Sequence, residues 1–377
     1  MLRQDHLLFQ DSIGVQTQIT SFHFGQSGAR PKVYIQASLH AEEIPGMLTA
    51  HHLLEKLKQA DAQGLIQGEI VVVPVCNPIG LAQRVDFKPM GRFELSTSEN
   101  FNRHYPHLTA DVWQMVKDQL SPNVDQNTAV IRKAAAQVLA NWSAPTQLQS
   151  LRKTLLQLAL DADVVLDLHC DCEAELHMYL EDDCWPVLEP LSRLLKSKAV
   201  LLAKGSGVQC FDECLSGFWR ELAELAQGLA TPLPVAQACA STTVELRGEG
   251  DVSHEYASHD AQAIYTYLEY LNVLHSKQAI TPLPVAVCQP TPLAGSQTVR
   301  TPVAGILVFI APLGAILKPG DVVAEVINPI TGHVHQLSAE VEGVYYARTR
   351  DCYAKANDDI ANIAGAIAFK TGNLLGA

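Results

Sequence analysis

Two short apolar runs separated by a helical pattern constrain the fold of this 377-residue chain more than any other feature. Residues 33–39 and 69–76 are rich in Val and Ile, as is typical of buried strands. The apolar residues that recur at helical spacing between the two runs are Met47, Leu48, Leu53, Leu54 and Leu57. This pattern predicts a βαβ unit, whose strands are parallel and are joined by a right-handed crossover.

Further segments extend this unit in the same style. The sequence from about 108 to 160 has a helical pattern, and the apolar run 163–168 that follows predicts another buried strand. Additional elements are predicted as strands at 176–180, 199–202 and 242–246 and as a helix at 260–274. We therefore expect an α/β fold, with a mixed twisted sheet flanked by helices. Residues 77–106 have no clear periodicity, and such a long irregular segment in a compact domain is usually functional or disordered.

The composition changes near residue 280. Residues 281–292 contain four prolines and predict a stiff connector or an edge segment. Beyond them, short β runs alternate with Gly and Pro turns, a pattern that predicts a small all-β barrel-sandwich module. We therefore divide the chain into a larger domain, 1–280, and a C-terminal β module, 290–377.

Composition also limits the classes of partner. The net charge of −13 argues against a nucleic-acid partner, which would require a basic surface. No signal peptide is visible at the start of the sequence, and no stretch of 18 apolar residues suggests a transmembrane helix. The nine cysteines form no CxxC pair and fit reduced thiols better than a disulfide framework. We therefore expect a cytoplasmic protein without a membrane partner.

Three potential metal ligands follow or close predicted strands. His40 and Glu43 come directly after the strand at 33–39, and His169 closes the strand at 163–168. The carboxyl ends of parallel strands face one crevice, and two His with one Glu are typical of a catalytic zinc with an open position. Asp167 would point the same way as His169 and could orient a ligand histidine. Alternatives are a helix cap for the first pair, a core histidine at 169, and the rival ligands Cys170, Asp171 and Cys172.

These residues belong to an ordered series of motifs. The series comprises His40-x-x-Glu43 with Pro45-Gly46, Asn77-Pro78, Asn102-Arg103 with Pro106, Asp167-Leu168-His169, and Glu245. It resembles the succinylglutamate desuccinylase/aspartoacylase family of the zinc carboxypeptidase superfamily over roughly residues 30–275. The resemblance implies a zinc carboxypeptidase-like fold, one Zn²⁺ per chain held by His40, Glu43 and His169, and a lipoyl-like C-terminal module.

The resemblance also implies roles for further residues. Asn102 and Arg103 match the family pair that contacts the substrate carboxylate, and Glu245 matches the general base. A further family arginine polarises the scissile carbonyl, and both Arg92 and Arg84 compete for this role here. We favour Arg92 because it lies closer to Asn102 in the sequence. For Glu245, the alternatives are a structural pairing or a surface position, with Glu249 and Glu255 as neighbouring carboxylates.

Together these features predict a zinc-dependent hydrolase that cleaves the amide bond of an N-acyl amino acid or a similar small carboxylate-bearing amide. The rival enzyme is a metallocarboxypeptidase that acts on peptide C-termini, and the rival of another class is a catalytically silent zinc-binding or ligand-binding protein. The acyl group and the amino acid of the substrate cannot be read from the sequence.

The predicted β module lacks the feature that a lipoyl or biotinyl carrier needs. Such a carrier presents a lysine at a hairpin tip, and the corresponding stretch, 325–333, contains no lysine. We therefore expect a module that is not an acceptor and that covers the cleft or mediates assembly, with a homo-oligomer as one outcome.

Overall fold

The computed structural model describes residues 1–276 and 282–374, so the predicted boundary at residue 280 lies outside the described residues. The helices are α1 Pro45–Ala62, α2 Pro78–Ala82, α3 Thr109–Val116, α4 Val124–Asn141, α5 Gln147–Ala159, α6 Trp185–Leu195, α7 Glu213–Gln227 and α8 His254–Tyr270. Single 3-10 turns lie at Asp182–Cys184 and Leu293–Gly295. Among the helices of the described residues, none combines the length and the apolar character needed to cross a membrane.

Nine strands form the main sheet, in the order β1-β2-β4-β3-β7-β11-β9-β10-β12. Their bounds are β1 Leu2–Leu7, β2 Gln18–Phe24, β3 Lys32–Ala37, β4 Glu69–Val73, β7 Val164–Asp171, β9 His177–Glu181, β10 Ala199–Ala203, β11 Ala240–Gly248 and β12 Thr291–Pro292. The central strands β4, β3, β7 and β11 are mutually parallel, whereas β9 runs antiparallel to β11. The predicted βαβ unit is therefore confirmed as β3, α1 and β4.

Helices cover both faces of this sheet. Leu53 of α1 and Ile264 of α8 pack in one apolar cluster with Leu166 of β7, together with residues of α6. Helices α3, α4, α5 and α7 pack on the opposite face, where Val165 of β7 belongs to a second apolar cluster. The alternation of Val165 and Leu166 between the two clusters explains why this strand is apolar throughout. The predicted α/β fold with a mixed sheet flanked by helices is confirmed.

Several elements differ from the prediction in extent. Residues 1–30 lie outside the elements predicted above and contain both β1 and β2. Strand β11 extends beyond the predicted 242–246 at both ends, so Glu245 lies well inside it. Helix α7 corresponds to no predicted element. Helix α8 begins at His254, earlier than expected, because the Ser253 side chain accepts a hydrogen bond from the backbone N–H of Tyr256 and caps the helix.

The remaining strands are short and mostly lie beyond residue 295. They are β5 Arg84–Val85, β6 Lys88–Pro89, β8 Glu173–Ala174, β13 Ser296–Arg300, β14 Gly305–Phe309, β15 Ile316–Leu317, β16 Val322–Ile327, β17 Val334–Ser338, β18 Gly343–Arg348, β19 Tyr353–Ala354 and β20 Asp359–Gly365. One C-terminal sheet has the order β13-β20-β18-β15 and the other β17-β16-β14-β19. Strand β8 of the larger region pairs with β18, so the two regions share backbone hydrogen bonds.

The C-terminal strands enclose an apolar cluster of their own, which includes Val323, Tyr345 and Ile363. The turn that joins β16 to β17 spans residues 328–333 and contains no lysine. The short predicted strands in this region are therefore present. Their independence as a barrel-sandwich domain stays a prediction, because β12 of the same segment pairs with β10 of the main sheet.

Candidate metal centre and its cavity

The turn after β3 brings His40 and Glu43 to the edge of the sheet. Ser38 adopts a positive φ of 62°, its backbone N–H donates to Leu168 O at 3.1 Å, and its hydroxyl donates to Glu43 O at 2.6 Å. A Cβ added to Gly46 would lie 2.9 Å from Leu168 O, so only glycine allows α1 to begin this close to β7. The Pro45-Gly46 pair in the sequence thus serves the placement of the site.

Three buried side chains converge at this point. The Nδ1 atom of His40 lies 2.9 Å from Glu43 Oε1, and the Nδ1 atom of His169 lies 2.7 Å from Glu43 Oε2. The potential ligand atoms of the three residues all lie within 4.8 Å of one another. In the part of the chain that the structure describes, no second group of three such residues meets this spacing. The predicted ligand set is therefore brought together and could hold a metal ion.

The outer nitrogen of His40 is fixed by a residue that sequence analysis did not single out. Asn100 Oδ1 accepts a hydrogen bond from the backbone N–H of Asn102 at 2.8 Å and lies 2.9 Å from His40 Nε2. Because this oxygen only accepts, His40 Nε2 carries the proton and Nδ1 presents a lone pair. That lone pair faces the Glu43 carboxylate, an arrangement that a cation between the two atoms would stabilise.

The outer nitrogen of His169 faces a carboxylate. Asp167 Oδ2 lies 3.0 Å from His169 Nε2 in an ion-pair contact whose alignment falls short of a hydrogen bond. The other oxygen, Oδ1, accepts from Gln36 Nε2 at 2.9 Å, and Asp167 is fully buried. Carboxylate partners of this kind orient metal-binding histidines. The predicted orienting position of Asp167 therefore agrees with the geometry.

Burial and charge act in opposite directions on these groups. Burial lowers the pKa of His40 to about 4, although Glu43 partly opposes the shift. Burial disfavours a charged His169, but Asp167 and Glu43 outweigh it and raise the pKa of His169 well above its ordinary value. Burial likewise opposes ionisation of Glu43, yet the two histidines lower the pKa of this carboxyl. Glu43 is thus an anionic donor, as a metal site requires.

The two candidate oxyanion arginines lie in different places. Arg92 Nη1 lies 3.3 Å from His40 Nδ1 and 3.6 Å from Glu43 Oε1. A Cβ on Gly91 would come within 2.6 Å of the backbone nitrogen of Glu42, so glycine lets this loop approach the turn after β3. Arg84 lies on the exposed strand β5 and does not line the cavity at the site. Of the two, the structure places Arg92 beside the ligand atoms.

Asn102 and Arg103 also lie at the cavity. Both are buried, and Asn102 Oδ1 accepts from the backbone N–H of Phe211 at 2.8 Å. Arg103 Nη1 donates to Asn102 O at 2.8 Å and lies among the cavity-lining residues. The Asn102 contact ties the loop before α7 to this segment, so at least part of the function of Asn102 is structural.

Glu245 occupies the neighbouring strand. It pairs in register with His169 of β7, and both side chains line the same cavity. Burial, followed by the nearby charge of Glu43, raises the pKa of Glu245 well above its ordinary value. Its Oε2 atom is buried without a hydrogen-bond partner. The carboxylate is therefore placed beside the ligand group without belonging to it.

The contacts or exposure of Cys170, Glu249 and Glu255 distinguish them from the proposed metal ligands and from Glu245. Cys170 donates its backbone N–H to Glu43 Oε2 at 3.2 Å, and burial raises the pKa of its thiol, which disfavours the thiolate that binds metals. Glu249 pairs with Arg350 at 2.8 Å, and Glu255 is exposed on α8.

The ligand group opens into a cavity of about 230 Å³. Residues of β7, β9, β10, β11, the loop before α7 and the C-terminal segment line it, including Tyr179, Glu181, Ser206, Asp212, Leu293 and Asn362. Sequence analysis missed Asn100 and the whole set around α7. Asn100 lies in the aperiodic segment, and its only signal was its proximity to Asn102 and Arg103.

Comparison with known proteins supports the resemblance seen in the motifs. Residues 29–129 match the model of the succinylglutamate desuccinylase/aspartoacylase catalytic domain. No curated protein matches the chain at a significant level.

Solved structures match over nearly the whole chain. A protein of this family from Shewanella amazonensis SB2B has a TM-score of 0.82 and 22% identity, and the match covers 97% of this chain and 98% of that one. A family protein from Shewanella frigidimarina NCIMB 400 has a TM-score of 0.81 and 21% identity, with 97% of each chain covered. The product-bound ectoine utilization protein EutE (DoeB) from Ruegeria pomeroyi has a TM-score of 0.65 and 14% identity, with 96% of this chain and 93% of that one covered.

At these identities the structural likeness is one of fold. The resemblance to the succinylglutamate desuccinylase/aspartoacylase family is confirmed by the match of residues 29–129 to its catalytic-domain model, and solved structures named for that family share the fold of this chain.

Proposed function

We propose that this chain is a zinc-dependent hydrolase that cleaves the amide bond of an N-acyl amino acid or a similar small carboxylate-bearing amide. The observation that carries the proposal is the convergence of His40 Nδ1, His169 Nδ1 and the Glu43 carboxylate, with Glu245 on the adjacent strand. The family match at residues 29–129 supports it.

His40, Glu43 and His169 would hold the metal ion. Their donor set of two imidazole nitrogens and one carboxylate suits zinc, and three protein ligands leave a position open. When bound, Zn²⁺ supplies Lewis-acid polarisation of the scissile carbonyl and acidifies a water molecule at the site. The contacts of Asn100 and Asp167 hold both rings with Nδ1 toward the shared point.

Glu245 is the candidate general base. It lies beside His169 in the sheet register, and no hydrogen bond holds its Oε2 atom. We propose that this carboxylate accepts a proton from the attacking water and then delivers it to the leaving amine.

In this proposal, Arg92 and Arg103 contact different parts of the substrate. Arg92 lies close to the ligand atoms, where a guanidinium can stabilise negative charge that develops on the carbonyl oxygen. Arg103 lines the cavity and would contact the substrate carboxylate, since a guanidinium presents paired donors to such a group.

The size of the cavity favours a small amide over a peptide. A volume of about 230 Å³ is at the small end of ligand sites. Leu293 and Asn362 line it from the C-terminal segment and limit its extent on that side. This supports the predicted covering role of the C-terminal strands and makes the metallocarboxypeptidase the weaker alternative.

The test combines metal analysis with a substrate panel. The purified protein should contain about one zinc per chain, as three-ligand sites do, and His169→Ala should abolish this zinc. It should hydrolyse members of an N-acyl amino acid panel faster than short peptides. Glu245→Gln should retain zinc and lose on the order of 10²–10⁴ in rate. Zinc binding without hydrolysis of either panel would favour a catalytically silent protein instead.

A further inference from the structure

We propose that the end of the cavity formed by β9 and the segment before α7 binds a cation, so that the substrate carries a protonated amine away from its scissile amide. The residues that would recognise it are Glu181, Asp212 and Ser206. This inference rests on the proposed hydrolase function, because it describes the ligand as a substrate. The binding that it predicts can nevertheless be measured without turnover.

These three side chains line the cavity, and one oxygen of each has no hydrogen-bond partner. Glu181, Asp212 and Ser206 are 3%, 5% and 1% exposed. Glu181 Oε1, Asp212 Oδ1 and Ser206 Oγ are all buried without a hydrogen-bond partner. Buried polar atoms are ordinarily satisfied, and three unsatisfied acceptors around one cavity indicate a ligand that donates hydrogen bonds. A primary ammonium has three donors and no acceptor.

The register of the sheet gives the distance from the reaction centre. Leu180 of β9 pairs with Thr242 of β11, and β9 runs antiparallel to β11. Glu181 therefore lies four residues along the sheet from Glu245, which corresponds to about 13 Å at the usual rise per residue. A small molecule with a chain of several carbon atoms spans such a distance.

A structural role does not account for Asp212. It occupies the N-cap position of α7, where a carboxylate commonly accepts a hydrogen bond from the helix, but its side chain makes no such bond. Its pKa is raised to about 6, chiefly by burial and then by the charge of Glu213. The side chain has the Cys210 thiol as a hydrogen-bond partner, and its Oδ1 atom is the oxygen left available to a ligand.

The arginine that contacts Glu181 is shared. Arg220 Nε donates to Glu181 Oε2 at 3.2 Å, and Arg220 Nη1 donates to Glu224 at 3.2 Å. Arg220 Nη2 also lies 3.8 Å from Glu221. One guanidinium is therefore shared by three carboxylates. Burial raises the pKa of Glu181 to about 7, although Arg220 opposes the shift. Arg103 is a second guanidinium that interacts electrostatically with Asp212 and Glu213, so carboxyl groups still outnumber positive charges at this end of the cavity.

An organic cation fits this end better than a second metal ion. Among the described residues, only the group of His40, Glu43 and His169 has donor atoms within 4.8 Å of one another. The carboxylates of Glu181 and Asp212 do not form such a set. An ammonium group does not require a set of three such ligands, because it can use a carboxylate and a hydroxyl together.

The experiment measures binding of matched pairs to the zinc-loaded full chain by isothermal titration calorimetry at pH 8. L-Ornithine and L-norleucine differ only by an ammonium in place of a methyl group and represent the amine side of the amide. 5-Aminopentanoate and hexanoate form the same pair for the acyl side. In at least one pair the member with the terminal ammonium should bind about tenfold or more tightly, which corresponds to about 1.4 kcal/mol of binding free energy.

Isosteric variants assign this preference to the site. Glu181→Gln and Asp212→Asn should each remove most of the cation preference, whereas Glu224→Gln should retain it. Glu224 is the matched control because it bonds the same Arg220 from an exposed position outside the cavity. Circular dichroism checks that each variant is folded, and the two isosteric variants serve as independent tests.

The outcomes separate the two proposals. Equal or tighter binding of the methyl-bearing member in both pairs would overturn the cation site, as would a preference that neither cavity variant reduces. Hydrolysis of neutral or anionic amides alone would leave the hydrolase function intact and reject the cation site. A cation preference without hydrolysis of any amide would reject the hydrolase function and retain the binding site.

Discussion

Replacement of Asp167 by Asn should impair the metal centre more than complete removal of the side chain. Tyr34 donates its hydroxyl to Gln36 Oε1 at 2.9 Å, and Gln36 Nε2 donates to Asp167 Oδ1 at 2.9 Å. An asparagine at 167 must therefore turn its oxygen toward Gln36 and its NH₂ group toward His169 Nε2. His169 would then carry its proton on Nδ1, the atom that faces Glu43 and would bind the metal.

The expected loss follows from this tautomer. Partners of metal-bound histidines are worth roughly 10–100-fold in metal affinity. Asp167→Ala removes the partner of His169 but permits either tautomer. We therefore expect zinc affinity to fall by about tenfold, the low end of this range. Asp167→Asn imposes the wrong tautomer, so we expect zinc affinity to fall by about 100-fold, which corresponds to about 2.7 kcal/mol of binding free energy.

Competition with a chromophoric zinc chelator at fixed pH measures these affinities. Glu181→Gln is the matched control, because Glu181 is a buried carboxylate of the same cavity whose ion pair is with Arg220 and not with a ligand residue, and it should leave zinc affinity nearly unchanged. Thermal melts without zinc show whether a variant is folded. If Asp167→Asn binds zinc as tightly as the wild type, or more tightly than Asp167→Ala, the hydrogen-bond reasoning is wrong.

Three further expectations concern the arginines, the loop glycine and pH. In steady-state kinetics, Arg103→Ala should chiefly raise KM, because its contact with the substrate carboxylate exists in the ground state. Arg92→Ala should chiefly lower kcat, because its contact with the oxyanion forms in the transition state. Identical kinetic patterns for the two variants would refute these separate roles. Gly91→Ala should lower kcat while zinc content is retained, because the added Cβ would displace the loop that carries Arg92. A buried carboxyl with a raised pKa stabilises the fold below its ordinary pKa of 4.5, and this contribution is lost as pH rises to the folded value of about 7 for Glu181. The free energy of unfolding of Glu181→Gln should therefore rise relative to that of the wild type between pH 5 and pH 8, by up to about 3.5 kcal/mol at about 1.4 kcal/mol per pKa unit, and thermal melts that show a pH-independent difference would contradict this.

The sequence by itself determined the sheet and the ligand set. The apolar runs around β3, β4 and β7 are continuous because both faces of these strands are buried, and such runs are recognisable without a structure. The carboxyl ends of parallel strands meet at one edge, so His40, Glu43 and His169 could be placed together from their positions after or within strands. Asp167 followed from the two-residue period of a strand.

Tertiary structure alone decided what surrounds that set. Asn100 contacts His40 across 60 residues from a segment without periodicity, so no local pattern revealed its function. Glu181 and Asp212 come together because β9 runs antiparallel to β11 and α7 packs against that part of the sheet. Local sequence encodes the burial and direction of a strand, but it does not encode which distant loop closes over its end. The ligand group was therefore predictable, whereas the acidic end of the cavity emerged only from the packing of elements that are remote in sequence.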